Sequence, residues 1–314
     1  MMNLVFCGTP VFAVPTLERL VDRGFAVKLV VTQPDRPSGR GMELATSPVK
    51  GSALGFGLPI AQPDTIKNND EFRAQLENAA PDAIIVVGYG RIVPQWMIDL
   101  PKYGNLNLHA SLLPKYRGAA PIQWAIANGE TVTGVTIMRI AAGLDTGDML
   151  MQVEEPIRTD DTAITLTPRL AETGAGLMIR TLAGLVNGTV HPQPQDNSQV
   201  SLAPILKKED GIIDFSRTAT EIWNRLRGFQ PWPGAFTTFR GKTIELHAAL
   251  PAPEVALVKP GHFAVESGRL LMGFARGSTL EVRELQVEGK KRMSARDFMN
   301  GYRPRGHELL GAQV

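Results

Sequence analysis

The stretch Asn3-Leu-Val-Phe-Cys-Gly-Thr-Pro-Val-Phe-Ala13, followed after Gly24 by Ala26-Val-Lys-Leu-Val-Val31, decides the fold class. Its first residues form a short apolar run closed by Gly8, Thr9 and Pro10, the pattern of a buried strand. Over 12–23 the apolar residues fall at helical spacing, with Leu17, Leu20 and Val21 on one side and Gly24 as the stop. A second apolar strand follows at 26–31. Strand, helix, strand predicts a doubly wound, mostly parallel α/β sheet. The first turn has a single glycine, Gly8. A dinucleotide site needs Gly-x-Gly-x-x-Gly there, so the turn argues against a nicotinamide or flavin dinucleotide.

Further along, 49–56 predicts a helix and 58–61 a short strand. A helix over 69–79 has Asn69 or Asp70 as its cap. Asp82-Ala-Ile-Ile-Val-Val87 reads as a central strand buried on both faces. It ends in Gly88-Tyr-Gly90, glycines that either let the backbone approach a flat ligand or simply turn the chain. Helical turns over 93–100 come next. Gly104-Asn-Leu-Asn-Leu-His109 is the next strand, and side chains two apart share a face. Asn107 and His109 therefore point together, at a strand end, where open α/β sheets bind ligands. An amide can hold a developing oxyanion, and an imidazole can move a proton near neutral pH.

A helix over 121–127 and a strand over 131–140 lead to Ala141-Ala-Gly-Leu-Asp-Thr-Gly-Asp148, which presents Asp145 between two glycines. Asp-Thr-Gly also occurs in aspartic proteases, but no second copy exists here to pair carboxylates. A strand over 149–153 and an amphipathic helix over 162–185 complete this half. Proline, glycine and asparagine without apolar period over 187–204 read as a linker. The expected organisation is a catalytic domain at 1–189, a linker at 190–206 and a smaller domain at 207–314. A helix over 219–228, the stiff turn Gln230-Pro-Trp-Pro-Gly234 and short strands at 236–239, 244–248, 263–265 and 280–285 suggest a small β-barrel.

The chain has 314 residues, 43% hydrophobic and 20% charged, enough for about two globular domains. It contains no run of about 18 apolar residues and no secretory leader pattern. A cytoplasmic location and no membrane association are therefore expected. Cys7 is the one cysteine, so no intrachain disulfide can form, and its apolar run predicts a buried, inert thiol. Net charge is +2, but from Ile205 onward there are 17 Lys+Arg against 12 Asp+Glu. A basic C-terminal part permits a polyanionic partner, although a solvated charged surface accounts for it equally well.

Gln33-Pro-Asp-Arg-Pro-Ser-Gly-Arg-Gly-Met-Glu-Leu-Ala-Thr-Ser-Pro48 reads as one long loop without periodicity. Loops above about 12 residues are usually functional or disordered. Arg36 and Arg40 on such a loop suit phosphate contacts.

Asn-x-His-x-Ser-Leu-Leu-Pro at 107–114, followed by Tyr-Arg-Gly-Ala-Ala-Pro-Ile-Gln, resembles the signature of 10-formyltetrahydrofolate-dependent formyltransferases. Gly134-Val-Thr-Ile-Met138 through Asp148 resembles the same family's aspartate segment. The likeness covers nearly the whole chain. Within the family it is strongest to the methionyl-tRNA formyltransferases, whose Pro-Asp-Arg-Pro-x-Gly-Arg-Gly loop reaches into the tRNA acceptor stem. The resemblance implies Asn107, His109 and Asp145 as the catalytic set. It places folate at Ser111, Leu112, Leu113 and Pro114, with Gly88 and Tyr89 beside it. It implies Arg36 and Arg40 on the loop, and Lys290 and Lys291 on an OB-like second domain, as tRNA contacts. The expected reaction is transfer of a formyl group from 10-formyltetrahydrofolate to the amino group of initiator methionyl-tRNA, with no metal and no obligate protein partner. The alternative is a formyltransferase acting on an amino-sugar nucleotide, which shares both domains and the Pro-Trp-Pro-Gly turn. The arginine loop and the intact Gly-Leu-Asp-Thr-Gly favour tRNA.

A metal mechanism has no support in spacing, since His191, His247, His262 and His307 are scattered. Ser111 lacks the Gly-x-Ser-x-Gly elbow of a nucleophile. A non-catalytic RNA binder on a degenerate enzyme fold is the rival from another class. The intact Asn107, His109 and Asp145 argue against it, and folate binding would separate the two.

Overall fold

A computed structural model describes residues 2–38, 43–255 and 257–311. The strands are β1 (Asn3–Gly8), β2 (Ala26–Val31), β3 (Arg36–Ser38), β4 (Glu43–Ala45), β5 (Ile60–Ala61), β6 (Ala83–Val87), β7 (Asn105–His109), β8 (Val132–Arg139) and β9 (Met149–Pro156) in the first part of the chain. The helices there are α1 (Val14–Asp22), α2 (Pro48–Gly55), α3 (Asp70–Ala79), α4 (Gln95–Ile98), α5 (Pro121–Ala127) and α6 (Ala163–Val186). The remainder holds α7 (Ala219–Gly228), β10 (Ala235–Phe239), β11 (Lys242–Pro251), β12 (Phe263–Glu266), β13 (Arg269–Gly273), β14 (Thr279–Val287), β15 (Met293–Ser294) and α8 (Ala295–Tyr302).

The chain divides into two compact units. One comprises 1–121, 132–156 and 167–203, the other 122–131, 157–166 and 204–314.

The first unit is built on a seven-stranded sheet of order β5-β2-β1-β6-β7-β8-β9. The five strands from β5 to β7 are parallel, and β8 and β9 are antiparallel additions. Alternate β1 residues point to opposite faces, and both faces are covered. Val5 and Cys7 pack with Phe72 and Leu76 of α3 and with Met97 of α4, while Leu4 and Phe6 on the other face are fully buried. A strand covered on both sides must be apolar throughout, which is why β1 and β6 show no alternation. Cys7 is fully buried, and desolvation pushes its thiol far above the ordinary range, as an inert thiol requires. Asn69 caps α3, its side chain accepting from Phe72 N at 2.9 Å.

The 33–48 loop differs from the sequence expectation. Its arms pair as a short antiparallel hairpin, with Arg36 opposite Ala45 and Ser38 opposite Glu43. A three-residue strand is too short to leave a period-two signal, so the pattern was invisible.

The second unit carries an antiparallel sheet of order β10-β11-β14-β13-β12, with β15 added to β14. Among the described residues its first and last strands do not pair, so the expected barrel is not closed. β13 and α8 were also absent from the sequence reading. α8 begins on Ser294, whose hydroxyl accepts from Asp297 N at 3.1 Å and donates to the Asp297 carboxylate. Phe298 from α8 is fully buried against Phe239 and Phe263. No helix among the described residues is long and apolar enough to cross a membrane.

Candidate active site

β7 delivers Asn107 and His109 at the end of the parallel array. Their neighbour Leu108 faces the other way and packs where Gly174 of α6 leaves room for it. His109 is 5% exposed. Its Nε2 lies 2.9 Å from the Tyr116 carbonyl, and a carbonyl only accepts, so this nitrogen carries the hydrogen. Tyr116 reaches that position with φ +60, which turns its carbonyl inward.

Asp145 arrives from the loop between β8 and β9. Arg139, the last residue of β8, pairs with Leu106, about 10 Å down the strand from His109. The loop therefore has to double back. Arg139 N donates to the Asp148 carbonyl at 2.9 Å and closes its base. Gly147 makes the fold-back feasible, because a Cβ there would run into the Arg139 carbonyl. Asp145 Oδ2 comes within 3.7 Å of His109 Nδ1 and accepts from Gly118 N at 2.9 Å. With Nε2 already donating, a proton added at Nδ1 would face this carboxylate.

Asn107 is half-buried, and its amide has no hydrogen-bond partner among the described residues. A polar group left open beside a histidine–aspartate pair is suited to receive a ligand oxygen.

The other sequence-predicted residues divide. Ser111 is fully buried, its hydroxyl donating to the Lys115 carbonyl at 2.6 Å. Thr136 Oγ1 donates to the Ser111 carbonyl and accepts from Leu113 N, and Gln152 Nε2 donates to the Leu113 carbonyl. Leu113 is 3% exposed and belongs to the core. Apolar surface for a flat ligand must come from Leu112 and Pro114, both half-buried. Gly88 is exposed with φ +56, and a Cβ there would strike the Pro10 ring.

Tyr89 turns its ring into the core. Its side chain is 1% exposed and packs with Val5, Cys7 and Met97. Burial pushes its phenol well above the ordinary range. Its carbonyl already accepts from Gln33 Nε2 at 2.8 Å. The aromatic ring was anchored inward because the adjacent strand is buried on both faces.

Arg36 is exposed on β3, whereas Arg40 lies outside the described residues. In the second unit, Lys290 and Lys291 are exposed on the turn between β14 and β15. Among the described residues no group of three or more His, Cys, Asp or Glu could hold a metal.

Sequence reasoning missed Tyr116, Thr136, Gln152 and Gln195. Gln195 sits in Pro192-Gln-Pro-Gln195, which reads as linker, yet its side chain donates to the backbone of the Asp145 loop. No local pattern marks such a residue.

The model of the family described as formyl transferase matches residues 2–182, and that of its C-terminal domain matches 205–303. A methionyl-tRNA formyltransferase from Koribacter versatilis is 64% identical over 99% of this chain and 99% of its own length. Another from Acidobacterium capsulatum is 63% identical over 99% and 100%. Among solved structures, the N-formyltransferase from Helicobacter canadensis, in complex with folinic acid and dTDP-3-aminofucose, is similar with a TM-score of 0.66. It is 21% identical over 90% of this chain and 99% of that one, a likeness of fold.

Proposed function

The chain belongs to the formyl transferase family, and we propose that it moves a formyl group from 10-formyltetrahydrofolate to the amino group of initiator methionyl-tRNA. The observation that carries this reading is the 64% identity, end to end, to a methionyl-tRNA formyltransferase. The grouping of Asn107, His109 and Asp145 supports it, because formyl transfer to an amine needs few parts. The amine must attack as the neutral base, negative charge must be stabilised on the formyl oxygen, and a proton must leave the attacking nitrogen.

In this proposal the open Asn107 amide donates to that oxygen, a role worth roughly 3 kcal/mol in comparable acyl-transfer sites. His109 takes up or supplies the proton through Nδ1, and Asp145 orients the ring and balances its charge. The donor fits what the site presents. The half-buried Asn107 amide has no partner among the described residues, half-buried Leu112 and Pro114 offer apolar surface, and the exposed Gly88 offers close backbone approach. Arg36 and Arg40 of the 33–48 segment, and Lys290 and Lys291 on the second unit, each contact the RNA backbone. The same proposal includes an OB-like reading of the second unit, the division at 1–189, 190–206 and 207–314, and a cytoplasmic location.

An amino-sugar nucleotide as acceptor is the second reading. The Helicobacter canadensis structure shares the fold at 21% identity, which does not weigh against a 64% relative that acts on methionyl-tRNA. The test mixes the protein with 10-formyltetrahydrofolate and either methionyl-tRNA or an amino-sugar nucleotide, and follows release of tetrahydrofolate. Turnover with the tRNA, lost in His109→Ala, is the expected result. Turnover with the sugar alone would overturn the acceptor and leave the chemistry in place.

A further inference from the structure

We propose that Gln195 is a positioning residue that sets the conformation of Asp145, and that Arg117 holds Gln195 in place. The inference rests on the reading of Asp145 as part of the transfer centre.

Gln195 Nε2 donates to two carbonyls of the loop, those of Asp145 at 2.8 Å and Gly147 at 2.7 Å. Its Oε1 accepts from Arg117 Nε at 3.0 Å and Nη2 at 2.7 Å. Both hydrogens and both lone pairs of the amide are thereby engaged. Arg117 Nη2 also donates to Asn197 Oδ1 at 3.0 Å. The Arg117 backbone is itself fixed, donating to the Ser201 carbonyl at 2.9 Å and accepting from Ala203 N at 2.7 Å. The next residue, Gly118, donates its N–H to Asp145 Oδ2.

These bonds close a ring. It runs from the Asp145 carbonyl through Gln195 to Arg117, along one peptide to Gly118, and back to the Asp145 carboxylate. Main chain and side chain of Asp145 are held by a single circuit. Such restraint is needed, because Asp145 has φ +49, a left-handed conformation that a non-glycine residue keeps only when its surroundings impose it. Released, the loop would relax, and the carboxylate would leave its place 3.7 Å from the His109 ring.

The chemistry at 195 is specific to an amide. Glutamate would still accept from Arg117, and more strongly. It would also set two lone pairs against the carbonyls of Asp145 and Gly147, because an ionised carboxylate only accepts. Gln195→Glu thus separates holding Arg117 from holding Asp145.

The experiment compares Gln195→Glu and Gln195→Met with the parent protein by amide hydrogen exchange at Gly118 and by steady-state formyl transfer. In Gln195→Glu the melting temperature falls less than in Gln195→Met, since Arg117 keeps its partner. Exchange at Gly118 quickens by about tenfold or more as its acceptor loosens. The kcat falls by about 10- to 100-fold while both KM values hold within about twofold, as a displaced catalytic group requires. Gln195→Met, which removes donors and acceptor at similar length, gives the same fall in kcat with a lower melting temperature. It decides the matter if the glutamate variant does not fold. Unchanged exchange at Gly118, or a kcat within about twofold of the parent, overturns the proposal. The exchange arm needs no substrate, so it decides this inference separately. A parent protein inactive on methionyl-tRNA would overturn the functional reading alone.

Discussion

The loop that carries Asp145 and the hairpin that carries Arg36 both leave strands of the seven-stranded sheet, and they are held in opposite ways. The Asp145 loop is closed at its base by the Arg139–Asp148 backbone bond and pinned at its tip by Gly118 and Gln195. The hairpin is tied at its base. There Lys50 pairs with Asp35 at 2.5 Å, Gln62 Nε2 donates to Asp35 at 2.9 Å, and Gln33 reaches the Tyr89 carbonyl. Beyond that anchor Arg36 stands exposed. The difference matches the role proposed for each. A carboxylate that orients a ring acts over a few tenths of an ångström and must be fixed at the atom. A guanidinium that meets a phosphate backbone acts through charge over several ångströms and gains from reach.

The sharpest break of the comparison lies in the fixed region. His109→Ala should lower kcat by about 1,000-fold with KM for methionyl-tRNA nearly unchanged, measured by tetrahydrofolate release. A comparable loss carried in KM would mean that His109 binds substrate and does not act on protons. Asn107→Ala should lower kcat by about 100-fold, in the range for loss of one oxyanion donor. Since its amide has no partner among the described residues, the melting temperature should hold, and a large drop would show a structural role instead.

The hairpin should respond in the other parameter. The double variant Arg36→Ala and Arg40→Ala should cost about tenfold in kcat/KM for methionyl-tRNA at low salt, almost all of it in KM. The deficit should shrink as salt rises and screens the parent's contacts. An equal kcat/KM for parent and variant at low salt would remove the hairpin from tRNA recognition.

The smallest effect belongs to the hairpin's anchor. The bond from Lys50 and then the one from Gln62 hold the Asp35 carboxyl below its ordinary value of 3.8. A carboxyl depressed in the folded state stabilises at pH above its unfolded value, and this contribution is lost as pH falls through the folded one. Asp35→Asn should therefore lower the urea midpoint slightly near neutral pH, and the two proteins should converge below the ordinary aspartate value. KM for the tRNA should rise by only about twofold, because the backbone pairs of β3 and β4 remain. An undiminished stability difference in acid would assign the effect to something other than the ion pair.

The regular elements of the first unit were legible wherever burial imposed a pattern on the chain. The apolar run at Ala83–Val87 and the helix Pro121–Ala127 stand where the sequence placed them. The arms of the 33–48 hairpin were not legible, because backbone pairing over three residues leaves no periodicity. β13 was lost between glycines, and α8 hid behind a lysine-rich segment although Ser294 and Asp297 spell a helix start. Asn107 and His109 were readable because they share one strand and one face. The inward turn of the Tyr89 ring was not, since its adjacent glycines suggest an exposed turn while the core claims the side chain.

By itself the sequence determined that the first unit is a mostly parallel α/β sheet, the order of its main strands along the chain, the residue types of the candidate centre and the family. Each of these depends on local spacing or on residue identity, which a linear chain records. Only the tertiary structure decided that Asp145 doubles back to His109, that Arg117 and Gln195 close a ring around it, and that Leu113 and Tyr89 belong to the core. Those facts join residues up to 86 positions apart, as in the bond from Ala203 N to the Arg117 carbonyl. Contacts of that kind arise from chain reversals and side-chain packing in three dimensions, and no periodicity along the chain encodes them.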